Sequence, residues 1–189
     1  MRRTTRIFSW ILILAGIALV AVGVRTVFLS YWGQSTPPPP PPSIARSEPE
    51  TYSPGDLIGS LSIPRLDARW TLYEGTGERE LVRGPGHLEG TARPGSGGNC
   101  VIAGHRDTHF RALKDVRAGD DILLQSAKGN FRYRVTDVKV VYPSNTQLLQ
   151  PVPGPTLTLV TCFPFYYVGP APKRYIVRAE MVGLEHTPS

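Results

Sequence analysis

The chain has 189 residues, of which 41% are hydrophobic and 19% charged, with 19 Gly, 19 Pro and 2 Cys. This is room for one ordinary domain or at most two, and it excludes collagen-like, coiled-coil and disulfide-built chains. The net charge is +6, but the first 33 residues hold four Arg and no acid, so the rest carries +2 (17 Lys and Arg against 15 Asp and Glu). A nucleic-acid-binding domain would need a basic folded part, so we expect no nucleic acid partner. No Cys/His spacing resembles a zinc site.

The N-terminal segment has the pattern of a membrane anchor. Arg2, Arg3 and Arg6 precede residues 7–24, which contain no charged side chain. As a helix these 18 residues would cover about 27 Å, close to the hydrocarbon thickness of a bilayer. We predict a signal anchor over residues 7–29, with residues 1–6 in the cytoplasm and the rest outside, by the positive-inside rule. The alternative is a cleaved signal peptide, which would also export the rest.

Residues 30–53 form a predicted proline-rich linker. Residues 37–42 are six consecutive prolines, which favour a polyproline II spacer of about 19 Å that cannot join a sheet. We expect this stalk to hold the folded domain, residues 54–184, away from the membrane. Residues 185–189 are predicted to be a polar tail.

The outer domain has the pattern of an all-β protein. Short apolar or alternating runs recur between turn residues, which is typical of strands. The predicted strands are residues 57–63, 68–73, 100–103, 121–125, 131–142, 156–162 and 174–182. Two short segments have helical patterns, around residues 78–82 and 109–116. Seven or eight strands with little helix predict a closed barrel or a sandwich.

Three reactive side chains stand at predicted strand ends. Cys162 ends the most apolar strand, His105 follows the strand over residues 101–104, and Arg174 opens the last strand. If these strands are neighbours, a thiol, an imidazole and a guanidinium converge at one edge of the sheet. A thiolate attacks carbonyls, an imidazole transfers protons and a guanidinium stabilises an oxyanion. The set therefore suits acyl transfer at a peptide bond through a thioester.

The alternative is a disulfide between Cys100 and Cys162, because paired cysteines of exported proteins are usually bridged. The protein would then be an anchored, non-catalytic β-barrel binding module. The two hypotheses exclude each other. If Cys162 and His105 meet at strand ends, Cys100 lies five residues back, about 16 Å away, whereas a disulfide needs Cα atoms within about 7 Å.

The motifs around these residues resemble those of the sortase family. Residues 158–162 (TLVTC) are similar to the TLxTC motif of sortases, and residues 103–106 (AGHR) are similar to their AGH motif. Arg174 stands where sortases carry an Arg, at the start of the strand after the Cys. The resemblance covers about residues 55–182 in the family's order.

This resemblance implies an eight-stranded sortase β-barrel and a cysteine transpeptidase of the class D-like type. It implies cleavage of an LPxTG-like sorting signal after Thr, on surface proteins, and transfer to an amine of a cell-wall precursor or a pilin Lys. Cys162 would be the nucleophile, His105 the general acid and base, and Arg174 the substrate and oxyanion contact. Neither a metal nor an organic cofactor is implied. The expected substrate-binding residues are Thr161, Ala103, Leu148, Leu149 and Phe163.

Overall fold

The structure is a computed structural model that describes residues 16–22, 24, 51–167 and 169–184. The chain divides into two units, Met1–Pro39 and Pro40–Ser189, which are described separately. In the first unit, residues 16–22 and 24 are helical. Within the described ranges, no helix has both the length and the apolar character that a membrane span needs. Most of the predicted anchor, the linker up to residue 50 and the tail 185–189 lie outside the described residues.

The second unit contains eight strands that close into a barrel. In chain order they are β1 (Leu57–Ile63), β2 (Ala68–Glu74), β3 (Gly86–His87), β4 (Gly98–Ala103), β5 (Asp121–Ser126), β6 (Gly129–Val141), β7 (Pro155–Phe163) and β8 (Lys173–Leu184). Around the barrel the order is β1-β2-β3-β4-β7-β8-β6-β5. The pairs β2–β3 and β4–β7 are parallel, and the other pairs are antiparallel. The prediction of an eight-stranded all-β barrel is confirmed.

In the described part of the second unit, the helices are short and lie in the connections between strands. One α-helix, α1 (Glu78–Arg83), follows β2. Three 3-10 helices span Pro64–Leu66, His109–Asp115 and Thr146–Leu149. The predicted helix over residues 109–116 is therefore a 3-10 helix, and Phe110 has φ/ψ of −92° and 17° inside it, which breaks regular helical geometry. All of the predicted strands are present. The structure adds β3, which the sequence did not predict because a strand of two residues has no periodic pattern.

Strands β4, β7 and β8 are adjacent, and their side chains alternate between the barrel interior and the outer face. Interior positions supply the core, as with Ile102, Leu159 and Val177, which are fully buried. The alternate positions face outward. Val101 and Ile176 are only 1% and 4% exposed, yet they do not belong to the core cluster. The outer face of these three strands is therefore covered and apolar at its centre.

The Arg65–Asp120 ion pair joins the turn after β1 to the start of β5. Arg65 Nε and Nη2 donate to the two carboxylate oxygens of Asp120 at 2.5 and 2.6 Å. Arg65 Nη2 also donates to the carbonyl of Asp115 at 2.6 Å. The hydrogen bond from Arg65 lowers the pKa of Asp120 from its ordinary value of 3.8, although burial acts in the opposite direction. This bidentate pair fixes two distant segments of the barrel to each other.

Candidate active site

Cys162, His105 and Arg174 lie at the ends of three neighbouring strands. In the antiparallel β7–β8 pair, Cys162 lies directly opposite Arg174. In the parallel β4–β7 pair, Ala103 is level with Val160, and the Gly104 N–H donates to the Val160 carbonyl at 3.1 Å. β4 ends at Ala103, so His105 lies two residues beyond the paired segment, next to the end of β7 that carries Cys162. Cys162 and Arg174 face the same side of the sheet, because they are directly opposite each other.

The backbone before and after His105 is fixed by three contacts. The Thr161 hydroxyl, which is buried, donates to the Gly104 carbonyl at 2.6 Å. A Cβ on Gly104 would come within 2.7 Å of the Phe110 ring, so this position has room only for Gly. The Phe110 N–H donates to the His105 carbonyl at 2.9 Å. The AGH motif is thus a place where a strand end packs against a buried aromatic ring.

The charges near His105 and Arg174 leave the guanidinium available. Arg174 Nη1 donates to the carbonyls of Ala171 and Lys173 at 3.3 and 3.1 Å, and no acid pairs with it in the described ranges.

Burial lowers the pKa of His109, as does the nearby charge of His105, while the hydrogen bond to the Val82 carbonyl opposes both. The described residues contain no group of three His, Cys, Asp or Glu side chains that could hold a metal ion.

Both cysteines are free, so the disulfide alternative is wrong. Cys162 is half-buried on the outer face. Cys100 is buried inside the barrel, pairs with Leu157 and so lies five positions before Cys162 along the sheet. Burial raises the pKa of the Cys100 thiol, chiefly by desolvation of the thiolate. The two thiols differ in accessibility and lie on opposite faces of the sheet.

The predicted substrate-binding residues divide into two groups. Ala103 has outward parity beside His105, and Leu148 and Leu149 are half-buried in the 3-10 helix between β6 and β7. Thr161 and Phe163 do not join them, because their parity on β7 is opposite to that of Cys162. Phe163 stacks on Tyr175, with ring centroids 6.1 Å apart, and packs against the core. The substrate contact of these two residues stays a prediction, and in the structure both help to pack the site.

Sequence reasoning missed a polar network at the other end of the same outer face. Asn99 Nδ2 donates to the carbonyls of Leu148 and Gln150 at 3.1 and 3.2 Å, and Asn99 Oδ1 accepts from the Thr158 hydroxyl at 2.6 Å. Arg178 Nη2 donates to the Leu148 carbonyl at 3.0 Å. The sequence did contain a signal for this network. Asn99, Thr158 and Arg178 are separated from His105, Cys162 and Arg174, respectively, by an even number of residues, and even separations along a strand put side chains on the same face.

The loop between β7 and β8 is fastened to the segment after His105. Arg106 Nη2 donates to the carbonyls of Tyr167 and Gly169 at 2.8 and 3.1 Å. Hydrogen bonds from Lys114, and next from Arg111, lower the pKa of the exposed Tyr166 phenol. The loop begins with a cis peptide bond at Phe163–Pro164. Arg106, the residue after His105, thus holds the loop that joins the strands of Cys162 and Arg174.

The comparisons with known proteins agree with this geometry. The sortase domain family matches residues 61–182. Sortase D of Bacillus subtilis is 37% identical over 139 residues, which are 73% of this chain and 69% of the relative. Sortase SrtE1 of Streptomyces coelicolor is 34% identical over 138 residues, which are 63% of this chain and 39% of the relative.

Solved structures of sortases have the same fold. A Sortase D5 transpeptidase of Clostridium perfringens matches with a TM-score of 0.64 and 32% identity, covering 71% of this chain and 84% of that one. Sortase A of Corynebacterium diphtheriae matches with a TM-score of 0.64 and 39% identity, covering 69% of this chain and 63% of that one. Family match, sequence relatives and barrel geometry agree: the chain belongs to the sortase family of cysteine transpeptidases, and it is class D-like.

Proposed function

We propose that this transpeptidase cleaves an LPxTG-like sorting signal after Thr and transfers the new carboxyl end to an amine. The substrates would be surface proteins that bear the signal, and the acceptor a cell-wall precursor or a pilin Lys. The proposal is supported by one observation: Cys162 lies directly opposite Arg174 in the β7–β8 pair, and His105 follows the end of the neighbouring strand β4. A nucleophile, a proton carrier and an unneutralised cation are the groups that acyl transfer needs.

The first half-reaction forms a thioester. The Cys162 thiolate attacks the carbonyl carbon after Thr, and the Arg174 guanidinium stabilises the negative charge that develops on the carbonyl oxygen. The peptide C–N bond then breaks, and His105 as imidazolium gives its proton to the leaving amine. The products are an acyl-enzyme on Cys162, a released peptide with a free amino group, and a neutral His105.

The second half-reaction resolves the thioester. The acceptor amine attacks the same carbonyl carbon and passes a proton to His105, which restores the imidazolium. A new peptide bond forms as the C–S bond breaks, and Cys162 leaves as the thiolate. Because the proton returns to His105 and the charge returns to Cys162, the enzyme is ready for a second cycle.

Acyl-enzyme formation is tested by intact mass of the full chain after incubation with pooled LPxTG- and LPxTA-type peptides. We expect an adduct equal to the peptide up to its Thr. Cys162→Ala should show none, whereas Cys100→Ala, the same change at the buried thiol, should keep the adduct. An unmodified mass with both thiols intact under every peptide would contradict the proposed signal.

The roles of the two partners are tested by turnover. His105→Ala and Arg174→Ala should each slow acyl transfer by about two orders of magnitude, the scale of losing an acid or an oxyanion donor. Arg132→Ala removes an exposed guanidinium from β6 and serves as the control. Near-normal turnover in either variant would remove that residue from the mechanism.

We also propose a single-pass membrane location, with residues 1–6 cytoplasmic, a span over residues 7–29 and the barrel outside. The support is the uncharged run that follows Arg2, Arg3 and Arg6. The full chain should remain in the membrane pellet after alkaline carbonate extraction, and external protease should digest the barrel on intact cells. Release by carbonate would contradict the anchor.

A further inference from the structure

Two segments beside the candidate active site form a cluster of cationic and tyrosine side chains. One is the chain that leaves His105 and enters the 3-10 helix His109–Asp115, and the other is the loop between β7 and β8. Contacts between rings and cations join the two segments. The cluster, which we call the cationic rim, consists of Arg106, Arg111, Lys114, Tyr166 and Tyr167.

The tyrosine rings of the rim lie against its cations. The Arg106 guanidinium is 5.7 Å from the centre of the Tyr167 ring. The Arg111 guanidinium and the Lys114 ammonium are 5.6 and 5.8 Å from the centre of the Tyr166 ring. A cation within about 6 Å of a ring centre is attracted to the ring. The rings therefore keep three positive charges in one place beside the active site.

The guanidinium of Arg106 keeps its charge. It donates to two backbone carbonyls, those of Tyr167 and Gly169, and its Nη1 atom has no hydrogen-bond partner in the part of the chain that the structure describes. Residues 164–172 of the loop contain no charged side chain, so the loop supplies no acid. Tyr166 is 69% exposed, and this part of the rim therefore faces solvent.

Acids offset only part of the charge of the rim. Asp115 lies 3.5 Å from Lys114 Nζ, and Asp107 is the exposed neighbour of Arg106 in sequence. The three cations of the rim less these two acids leave one positive charge, and the Arg174 guanidinium of the active site adds a second. An exposed surface with an excess of cations attracts anions.

The order of the strands determines from which side the acceptor amine must arrive. β7 lies between β4 and β8, so His105, after the end of β4, and Arg174, at the start of β8, stand on opposite sides of Cys162. In the proposed second half-reaction the amine passes its proton to His105, so it approaches on the β4 side. The rim lies on this side, because it begins with the residue that follows His105.

We propose that the cationic rim binds an anionic group, a carboxylate or a phosphate, that the acceptor carries close to its amine. This assignment rests on the proposed function. The rim bonds to no reacting atom: the amine attacks the thioester carbon, its proton goes to His105, the C–S bond breaks and the new C–N bond remains. Attraction of the anion raises the local concentration of the amine and orients it. An amine without a neighbouring anion gains nothing from the rim.

The first test compares two amines on the full chain. N-acetyl-lysine and N-acetyl-lysinamide carry the same side-chain amine, and only the first has a carboxylate. The acyl-enzyme is formed with an LPxTG- or LPxTA-type peptide, and its consumption by each amine is followed by mass spectrometry. We expect N-acetyl-lysine to react about fivefold faster, the size that two exposed charges give. This preference should disappear at an ionic strength of about 1 M, where such charges are screened.

A double variant tests whether the rim is the source of the preference. Arg111→Gln with Lys114→Gln, two exposed positions, should lower the preference below about twofold while acyl-enzyme formation changes less than about twofold. The control, Arg132→Gln with Lys139→Gln, removes the same charges from exposed positions of β6, where Lys139 also pairs with an acid, Asp137. It should keep the preference. Equal reaction of both amines with the wild type, or an unchanged preference in the rim variant, would overturn the proposal.

A second pair of amines separates the two anionic groups. In 6-aminohexyl phosphate and 6-aminohexanol the amine is again the same, and only the first carries a phosphate. A greater advantage for the charged member of this pair than for N-acetyl-lysine would assign the rim to a phosphate, and a smaller one would assign it to a carboxylate. No advantage in either pair would overturn the proposal.

Failure of the proposed function gives a different result, because the rim can be tested without an acyl-enzyme. Saturation-transfer NMR should detect N-acetyl-lysine on the full chain more strongly than its amide, and the rim variant but not the control should lose this difference. If that holds and no peptide forms an adduct, the proposed signal is wrong and the anion-binding rim stands. If adducts form and neither binding nor reaction depends on the anion, the proposed function stands and the rim assignment is overturned.

Discussion

At the scale of single residues, the position of His105 depends on side chains that carry no charge. Gly104 gives room to the Phe110 ring, and the Thr161 hydroxyl holds the Gly104 carbonyl. Sequence motifs pointed to both positions as neighbours of reactive groups. They could not show that Thr161 faces inward, because that depends on which parity of β7 the barrel interior takes. The motif residues beside the reactive trio therefore act as supports.

Gly104→Ala should lower the free energy of unfolding by about 1–3 kcal/mol, the usual cost of forcing an atom into a packed core. The added Cβ would lie 2.7 Å from a ring that is fully buried. Urea unfolding followed by tryptophan fluorescence measures the change. Gly97→Ala, where nothing lies within 4 Å of the added atom, should change the stability by less than about 0.5 kcal/mol. Equal effects at both glycines would contradict the packing argument.

Thr161→Val should reduce kcat for acyl transfer roughly tenfold, because the strand end before His105 loses its hydrogen bond and small displacements of a catalytic group are costly. Stability should fall by about 1 kcal/mol. Single-turnover kinetics and thermal unfolding separate the two effects. Thr136→Val removes another threonine hydroxyl bonded to a backbone carbonyl, that of Arg178 at 3.3 Å, and should leave kcat as it is. A shift in KM alone would indicate that Thr161 contacts substrate instead.

At the scale of elements, the sequence predicts the strands well and the connections between them poorly. Apolar runs bounded by Gly and Pro predicted strands such as β1 and β7 nearly to their ends. The two-residue β3 and the 3-10 geometry around Phe110 lack a period that a sequence could display. Motifs and strand-end positions predicted that Cys162, His105 and Arg174 converge, and the register places Cys162 opposite Arg174. The Asn99 network was not predicted, because its partners lie 59 and 49 residues away in sequence.

Arg106→Gln should release the loop between β7 and β8. The variant loses the hydrogen bonds to the Tyr167 and Gly169 carbonyls, and hydrogen bonds from a charged donor are among the stronger ones. Chymotrypsin should cleave after Tyr166 or Tyr167 about tenfold faster, as measured by mass spectrometry of native protein. Arg132→Gln, an exposed change on β6, is the control. Indistinguishable cleavage of the two variants would show that other contacts hold the loop.

At the scale of the whole molecule, the barrel closes through strands that are distant in sequence, and one ion pair reinforces that closure. Arg65 follows β1, and Asp120 precedes β5, which pairs with β1. Because the pKa of Asp120 is lowered in the folded state, this carboxylate stabilises the fold above its unfolded pKa, near 3.8. The contribution is lost as pH falls through the folded pKa.

Asp120→Asn should therefore lower the Tm at neutral pH and bring it closer to that of the wild type in acid. We expect the Tm difference to be largest near pH 6 and to shrink below about pH 4. Scanning calorimetry across this range measures it. Glu180→Gln, at an exposed position of β8, should give a small difference at every pH. A gap between wild type and Asp120→Asn that stays constant with pH would rule out the ionised pair as its source.

Side chains on β7 and β8 alternate between the barrel interior and the outer face, so the effect of a substitution should alternate with every residue. Leu157, Leu159, Val177 and Ala179 face the barrel interior, whereas Thr158, Val160, Ile176 and Arg178 face the outer surface beside the reactive trio. Substitutions along either strand should be scored separately for protein abundance and for turnover. Interior positions should lower the abundance of the protein, and outer positions should lower turnover at normal abundance. Evolution could then retune the outer set, one residue in two, without disturbing the core that the other set builds.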